Sequence, residues 1–170
     1  MISDPFEAAP AGLPTGRFSG PVEFGALVRQ ALGTAAAQGW SEIIWCDPDF
    51  ADWPLGERVA AQALNDWSAS GRRLTLLAAR YEVVLGRHAR FVTWRRAWSH
   101  LVECRKCSAA SAASLPSALW SPVWMFERLD IARNIGVASS DAARRIALKE
   151  RLAERLLNSS AGFGASVLGL

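Results

Sequence analysis

The apolar run Ile43-Ile44-Trp45-Cys46 passes without a break into Asp47-Pro48-Asp49-Phe50-Ala51-Asp52-Trp53-Pro54-Leu55-Gly56. A short apolar stretch cut off by carboxylates and prolines reads as a buried strand that delivers its carboxyl end to a loop. In open α/β sheets that edge is where ligands bind. The stretch therefore constrains the fold and places a candidate site, although no complete catalytic or cofactor motif occurs anywhere in the chain.

At 170 residues, with 51% hydrophobic and 21% charged residues, the chain suits one globular domain with a sizeable core. No apolar run reaches the ~20 residues of a membrane-spanning helix. The start, Met1-Ile2-Ser3-Asp4-Pro5, lacks the basic and apolar regions of a signal peptide. A cytoplasmic protein is expected. Three cysteines without an export signal point to reduced thiols rather than a disulfide framework.

The net charge of +3 conceals an asymmetry. Residues 1–55 hold two basic and seven acidic side chains, and residues 56–170 hold seventeen and nine. Seventeen of the nineteen basic residues are Arg. Guanidinium suits bidentate anion contacts, but a G+C-rich coding sequence explains the excess equally well in a chain so rich in Ala, Leu and Gly.

Residues 1–20 contain three prolines and three glycines without an apolar period and read as a loose leader. The domain is expected over 21–170. Phe24, Leu27, Val28, Ala31, Leu32 and Ala35 form one helical face ended by Gly39. Glu42–Asp47 is the first strand. A helix follows with Val59, Ala60, Ala63, Leu64 and Trp67 inward, and Arg72–Ala78 is the second strand. That succession predicts a parallel, right-handed unit. A helix over 89–98 with Phe91, Trp94 and Trp98 inward, a third strand at His100–Cys104 and a Ser/Ala linker at Ser108–Ser114 come next. Ser117–Trp120 and Val123–Leu129, joined at Ser121-Pro122, read as a closing hairpin. Ser139-Ser140-Asp141 caps a final helix with a Leu148, Leu152, Leu156 stripe. The glycine-rich tail Gly162–Leu170 is expected to pack on the body or on a partner.

The order of these elements resembles one half of a phospholipase D superfamily enzyme. The resemblance implies a single three-layer α/β domain with a mixed, mostly parallel sheet, a closing hairpin and a C-terminal helix. That family's catalytic His-x-Lys would fall on Leu115-Pro116-Ser117-Ala118-Leu119-Trp120, which has neither residue, so no catalytic role carries over. The chain is also similar to an uncharacterised group of small proteobacterial proteins. The residues concerned are Asp47-Pro48-Asp49-Phe50 with Trp53-Pro54-Leu55-Gly56, the string Arg90-Phe91-Val92-x-Trp94-Arg95-Arg96-x-Trp98-Ser99-His100, and the Leu168-Gly169-Leu170 ending.

Asp47, Asp49 and Asp52 have the chemistry of a general acid–base pair or a hard-cation site, but turn and cap formation beside Pro48 is the favoured reading. Residues 80–106 carry seven basic side chains, Arg80, Arg87, Arg90, Arg95, Arg96, Arg105 and Lys106, against Glu82 and Glu103. With Tyr81, Phe91, Trp94 and Trp98 interleaved they suit a phosphate or single-strand nucleic-acid surface. A helix with core aromatics and solvated arginines is favoured over it. Cys104-Arg105-Lys106-Cys107 has half a zinc spacing without its second pair. His88 and His100 lack a nucleophile motif to serve. Trp53, in the loop, is the best candidate for an exposed tryptophan, with a lid folded over a core edge as the other reading.

The leading expectation is a non-catalytic binding or interaction module, with a homodimer or a protein partner suggested by analogy with paired halves, and with no cofactor and no metal. Its candidate contact residues are Asp47, Asp49, Trp53, Arg80, Tyr81, Arg96 and Arg105. Two alternatives stand beside it: an enzyme acting on a phosphate-bearing small molecule, with Asp47 or Asp49 as base or ligand and Arg80 or Arg105 on the anion, and nucleic-acid binding through Arg87–Arg96.

Overall fold

The computed structural model describes residues 12–163. Its first strand, β1 (Gly16–Phe18), lies inside the stretch expected to be a leader. Helix α1 (Pro21–Gln38) starts on Pro21, whose missing N–H costs nothing at a helix start, and ends where Gly39 takes φ 64°. Its buried face, Phe24, Leu27, Val28, Ala31, Leu32 and Ala35, is the one its periodicity predicts.

Strand β2 (Glu42–Cys46), helix α2 (Arg58–Ser68) and strand β3 (Arg73–Ala78) form the expected parallel unit, with Ile43 opposite Leu74 and Trp45 opposite Leu76. In α2 the inward residues are Ala60, Leu64 and Trp67, while Val59 is exposed. Helices α3 (Glu82–Arg87) and α4 (Ala89–Ala97) lead to strand β4 (Val102–Lys106), two residues later than expected and parallel to β3. The Ser/Ala linker is a 3-10 helix at Ala109–Ser114.

Strands β5 (Ser117–Trp120) and β6 (Met125–Asp130) make the predicted hairpin, and β7 (Ile135–Ser139) continues it. Helix α5 (Ala142–Leu157) is capped by Asp141, whose carboxylate accepts from the Arg144 N–H. A two-residue strand, β8 (Ser160–Ala161), closes the edge beside β4.

Among the described residues the eight strands form one sheet in the order β1-β7-β6-β5-β2-β3-β4-β8. Among the described residues only β2–β3 and β3–β4 pair in parallel. This corrects the expectation of a mostly parallel sheet: the short β5–β6 and β6–β7 connections permit only antiparallel neighbours, and the edge strands β1 and β8 add two more such pairs.

Alternation along β2 sends Ile43 and Trp45 to the α1, α2 and α4 side, and Ile44 and Cys46 to the α5 side. Each face thus has its own core, Leu148 and Leu152 supplying the α5 layer. Most indole N–H groups find acceptors: Trp67 reaches the Trp40 carbonyl at 2.6 Å, Trp94 the Ser68 hydroxyl at 2.9 Å and Trp124 the Pro14 carbonyl at 2.9 Å. No helix among the described residues is long and apolar enough to cross a membrane.

Candidate functional site

Asp47 follows the last residue of β2, and its N–H still donates to the Leu77 carbonyl of β3 at 3.1 Å. One carboxylate oxygen, Oδ2, accepts from the backbone N–H groups of Asp49 (3.2 Å) and Phe50 (2.8 Å), winding the loop around the side chain. The other, Oδ1, accepts from Arg128 Nη2 at 2.6 Å. Asp49 repeats the device, accepting from Ala51 N–H at 3.0 Å, as Asp commonly does in turns. The loop reverses at Phe50, which has φ 60°. Its carbonyl lies 2.8 Å from His88 Nε2. Because a carbonyl only accepts, that nitrogen carries the imidazole proton.

Arg128 is the residue that sequence reasoning missed. Its Nε donates to Ser117 Oγ at 2.7 Å, and Nη1 donates to Asp52 Oδ2 at 3.0 Å and Asn134 Oδ1 at 2.8 Å. Its guanidinium carbon lies 4.2 Å from the centre of the Phe24 ring. The Arg128 and Asp47 side chains are 1% and 2% exposed, so the pair is removed from water and fully engaged with protein groups. A buried charge is tolerated only on such terms. Strand alternation was the available signal: Phe126 and Arg128 share the inward face, and an inward Arg requires a carboxylate partner.

Trp53 is buried rather than exposed, at 1%. The loop folds back over the sheet, and its ring packs 4.9 Å from Phe50, 5.4 Å from Phe126 and 5.7 Å from Trp45. Trp98, at the end of α4, is the half-buried tryptophan instead.

The other expected contact residues are held apart by different partners. Arg80 is exposed, with Nη2 3.5 Å from Asp49 Oδ2. Tyr81 is buried, and its hydroxyl donates to the Arg105 carbonyl at 2.6 Å. Burial pushes that hydroxyl far above its usual range. Arg105 turns to Ser159, donating to its hydroxyl at 3.0 Å and its carbonyl at 2.8 Å.

The chain's own C-terminal segment fills the space beside Tyr81. Gly162 N–H donates to the Cys104 carbonyl at 2.8 Å, and Phe163 packs edge-on against Tyr81 at 5.0 Å. Any larger residue at 162 would bring Cβ within 2.6 Å of the Tyr81 ring and 2.9 Å of the Cys104 carbonyl. Arg95, which is buried, donates to the Phe163 carbonyl at 3.0 Å. Residues 164–170 of the expected packing tail lie outside the described residues.

Asp47, Arg80 and Arg105, expected to act together as acid–base and anion groups, are turned to different partners. Asp47 has both oxygens occupied, Arg80 answers to Asp49, and Arg105 answers to Ser159. Cys104 and Cys107 are buried in the cores on opposite faces of the sheet, so their thiols do not make the chelating pair that their spacing suggests. Among the described residues no group of three metal-ligating side chains comes together.

Exposed basic side chains lie along α3 and α4, with Glu82 exposed at the start of α3. Arg87 at the end of α3, and Arg90 and Arg96 on α4, are exposed, and none has a carboxylate within 4.0 Å among the described residues. Arg90 makes one contact, to the Gly56 carbonyl at 2.8 Å. The helical period turns Phe91, Val92, Trp94 and Arg95 inward and leaves Arg90, Thr93 and Arg96 outside.

A search against protein-family models finds no match to the chain, and a search of curated proteins finds none. Among solved structures, the fold is similar to that of TrmBL2, an archaeal chromatin protein whose structure shows a novel mode of DNA binding. The TM-score is 0.62 at 15% identity, over 89% of this chain and 55% of that one. The chain therefore spans just over half the length of this neighbour. These findings overturn the expected kinship with the phospholipase D superfamily and a small proteobacterial group, neither of which the comparisons support, and leave the α/β fold as the point of likeness.

Proposed function

We propose that this chain is a nucleic-acid-binding module that engages the phosphate backbone through Arg87, Arg90 and Arg96. The observation that carries the reading is the separation of charge from aromatics along α4. Arg90 and Arg96 are exposed and have no carboxylate within 4.0 Å among the described residues, while Phe91 and Trp94 are 0% and 3% exposed and Arg95 is buried with them. Unpaired guanidinium groups on a helix suit phosphate oxygens, which position a protein on a duplex without reading its sequence. Buried aromatics offer bases nothing to stack on, so the single-strand version of the reading loses its platform. The pI of about 9.1 fits a cationic binding face. The DNA-binding neighbour shares the fold, which adds support of a general kind only.

The test is fluorescence anisotropy with a labelled DNA duplex at low salt. Replacing Arg87, Arg90 and Arg96 together by Ala is expected to weaken binding by two orders of magnitude or more, on the order of 1 kcal/mol per phosphate contact, with an unchanged thermal midpoint. Undiminished affinity in a folded triple variant refutes the reading.

A further inference from the structure

We propose that the cleft between the 3-10 helix and the last turns of α5 binds a small molecule bearing a single phosphate group. The cleft has a volume of about 420 Å³, and Ser111, Ser114, Arg151, Glu154, Arg155 and Asn158 are among the residues that line it. That volume lies in the range of small-molecule sites. The cleft is separate from the arginines of α3 and α4.

Its position follows from the topology. The chain leaves the carboxyl end of β4, forms the 3-10 helix, and enters β5, whose Ala118 pairs with Cys46 at the carboxyl end of β2. The cleft therefore sits at the carboxyl edge of the parallel strands, where the sheet continues on opposite sides of β2 to β3 and to β5. That is the place where open α/β sheets present ligand crevices.

Arg155 is the central group. Both its Nη1 and Nη2 lie 3.4 Å from Ser114 Oγ, so the fork closes loosely on one oxygen. It has no carboxylate within 4.0 Å among the described residues. Nor is it consumed in capping its own helix. The Glu154, Arg155 and Leu156 carbonyls accept from Asn158 and Ser159 at 2.6–3.3 Å. A guanidinium fork without a carboxylate partner, held only by two long contacts to one hydroxyl, has the geometry for gripping a phosphate.

Arg151 contributes charge at the wall, but its Nη2 donates to Glu127 at 2.7 Å. Glu154 places a carboxylate on the same lining. One uncommitted arginine beside a glutamate favours one phosphate over a polyphosphate, because added negative charge meets repulsion.

The test titrates inorganic phosphate into the full chain, followed by amide and arginine Nε–H NMR shifts. Saturable shifts are expected at Ser111, Ser114, Arg155 and Asn158. Arg155→Gln is expected to weaken binding about tenfold, the worth of one charge-assisted contact, and Ser114→Ala by a smaller factor, with the remaining spectrum unchanged. Inorganic pyrophosphate is expected to bind no more tightly than phosphate. Shifts that rise without saturating, centre on Arg87, Arg90 and Arg96, or persist in both folded variants overturn the proposal. Failure of duplex binding leaves this outcome untouched, because the duplex-binding arginines lie outside the cleft.

Discussion

Arg128 Nη2 and Asp47 Oδ1 meet at 2.6 Å in a setting where both side chains are almost fully buried. The contact joins the middle of β6 to the end of β2, two strands that do not pair with each other but share β5 as neighbour. Removing Arg128 strands the Asp47 carboxylate in the core, and removing Asp47 leaves the buried guanidinium with the half-exposed Asp52 as its remaining carboxylate. Asp47→Asn and Arg128→Met are each expected to cost about 3 kcal/mol or more in urea unfolding. A loss below about 0.5 kcal/mol, the level of an ordinary surface substitution, contradicts the role given to the pair.

Trp53 tests whether the loop after β2 is a core element. Trp53→Ala is expected to destabilise by roughly 3–5 kcal/mol, the usual loss for a large buried aromatic. Trp53→Phe is expected to cost much less, because the indole N–H is buried without a hydrogen-bond partner and the ring keeps its packing. Equal, small effects from both variants are the outcome expected of an exposed side chain.

The segment after α5 depends on the absence of a side chain at 162. Gly162→Ala drives Cβ into the Tyr81 ring and the Cys104 carbonyl. Hydrogen exchange followed by mass spectrometry is expected to show loss of protection at residues 160–163 with protection in β2 and β3 retained. Unchanged protection at 160–163 contradicts the packing.

Cys104 sets an alkaline limit. Burial is the main cause that pushes its thiol up from an ordinary value of 9.0 to about 11. The folded chain therefore keeps a proton that the unfolded chain releases, and between pH 9 and about 11 stability falls as pH rises. Cys104→Ala is expected to flatten that part of a urea-midpoint profile, after allowance for its own packing cost. A profile identical in slope to the parent's contradicts the assignment.

Much of the fold was legible because local pattern and tertiary environment agree. The four-residue apolar run of β2, the helical face of α1 and the Asp141 cap are each decided by near neighbours in sequence. β1 and β7 were not legible, since Gly-Arg-Phe and Ile-Gly-Val-Ala-Ser are short and lack a strong alternation. The site was legible in its address only. Asp47 stands at the strand end as expected, but its partner lies 81 residues away on a strand where charge usually signals solvent. The burial of Trp53 and of Tyr81 was hard to read for the same reason: the loop folding back over Trp45, and Phe163 covering Tyr81, are long-range events without local signals.

The salt dependence of DNA binding tests the central claim most directly. Three phosphates neutralised by Arg87, Arg90 and Arg96 predict a slope of roughly −2.7 in a plot of log affinity against log salt for duplexes of unrelated sequence. A slope near zero, or no binding at low salt, contradicts it.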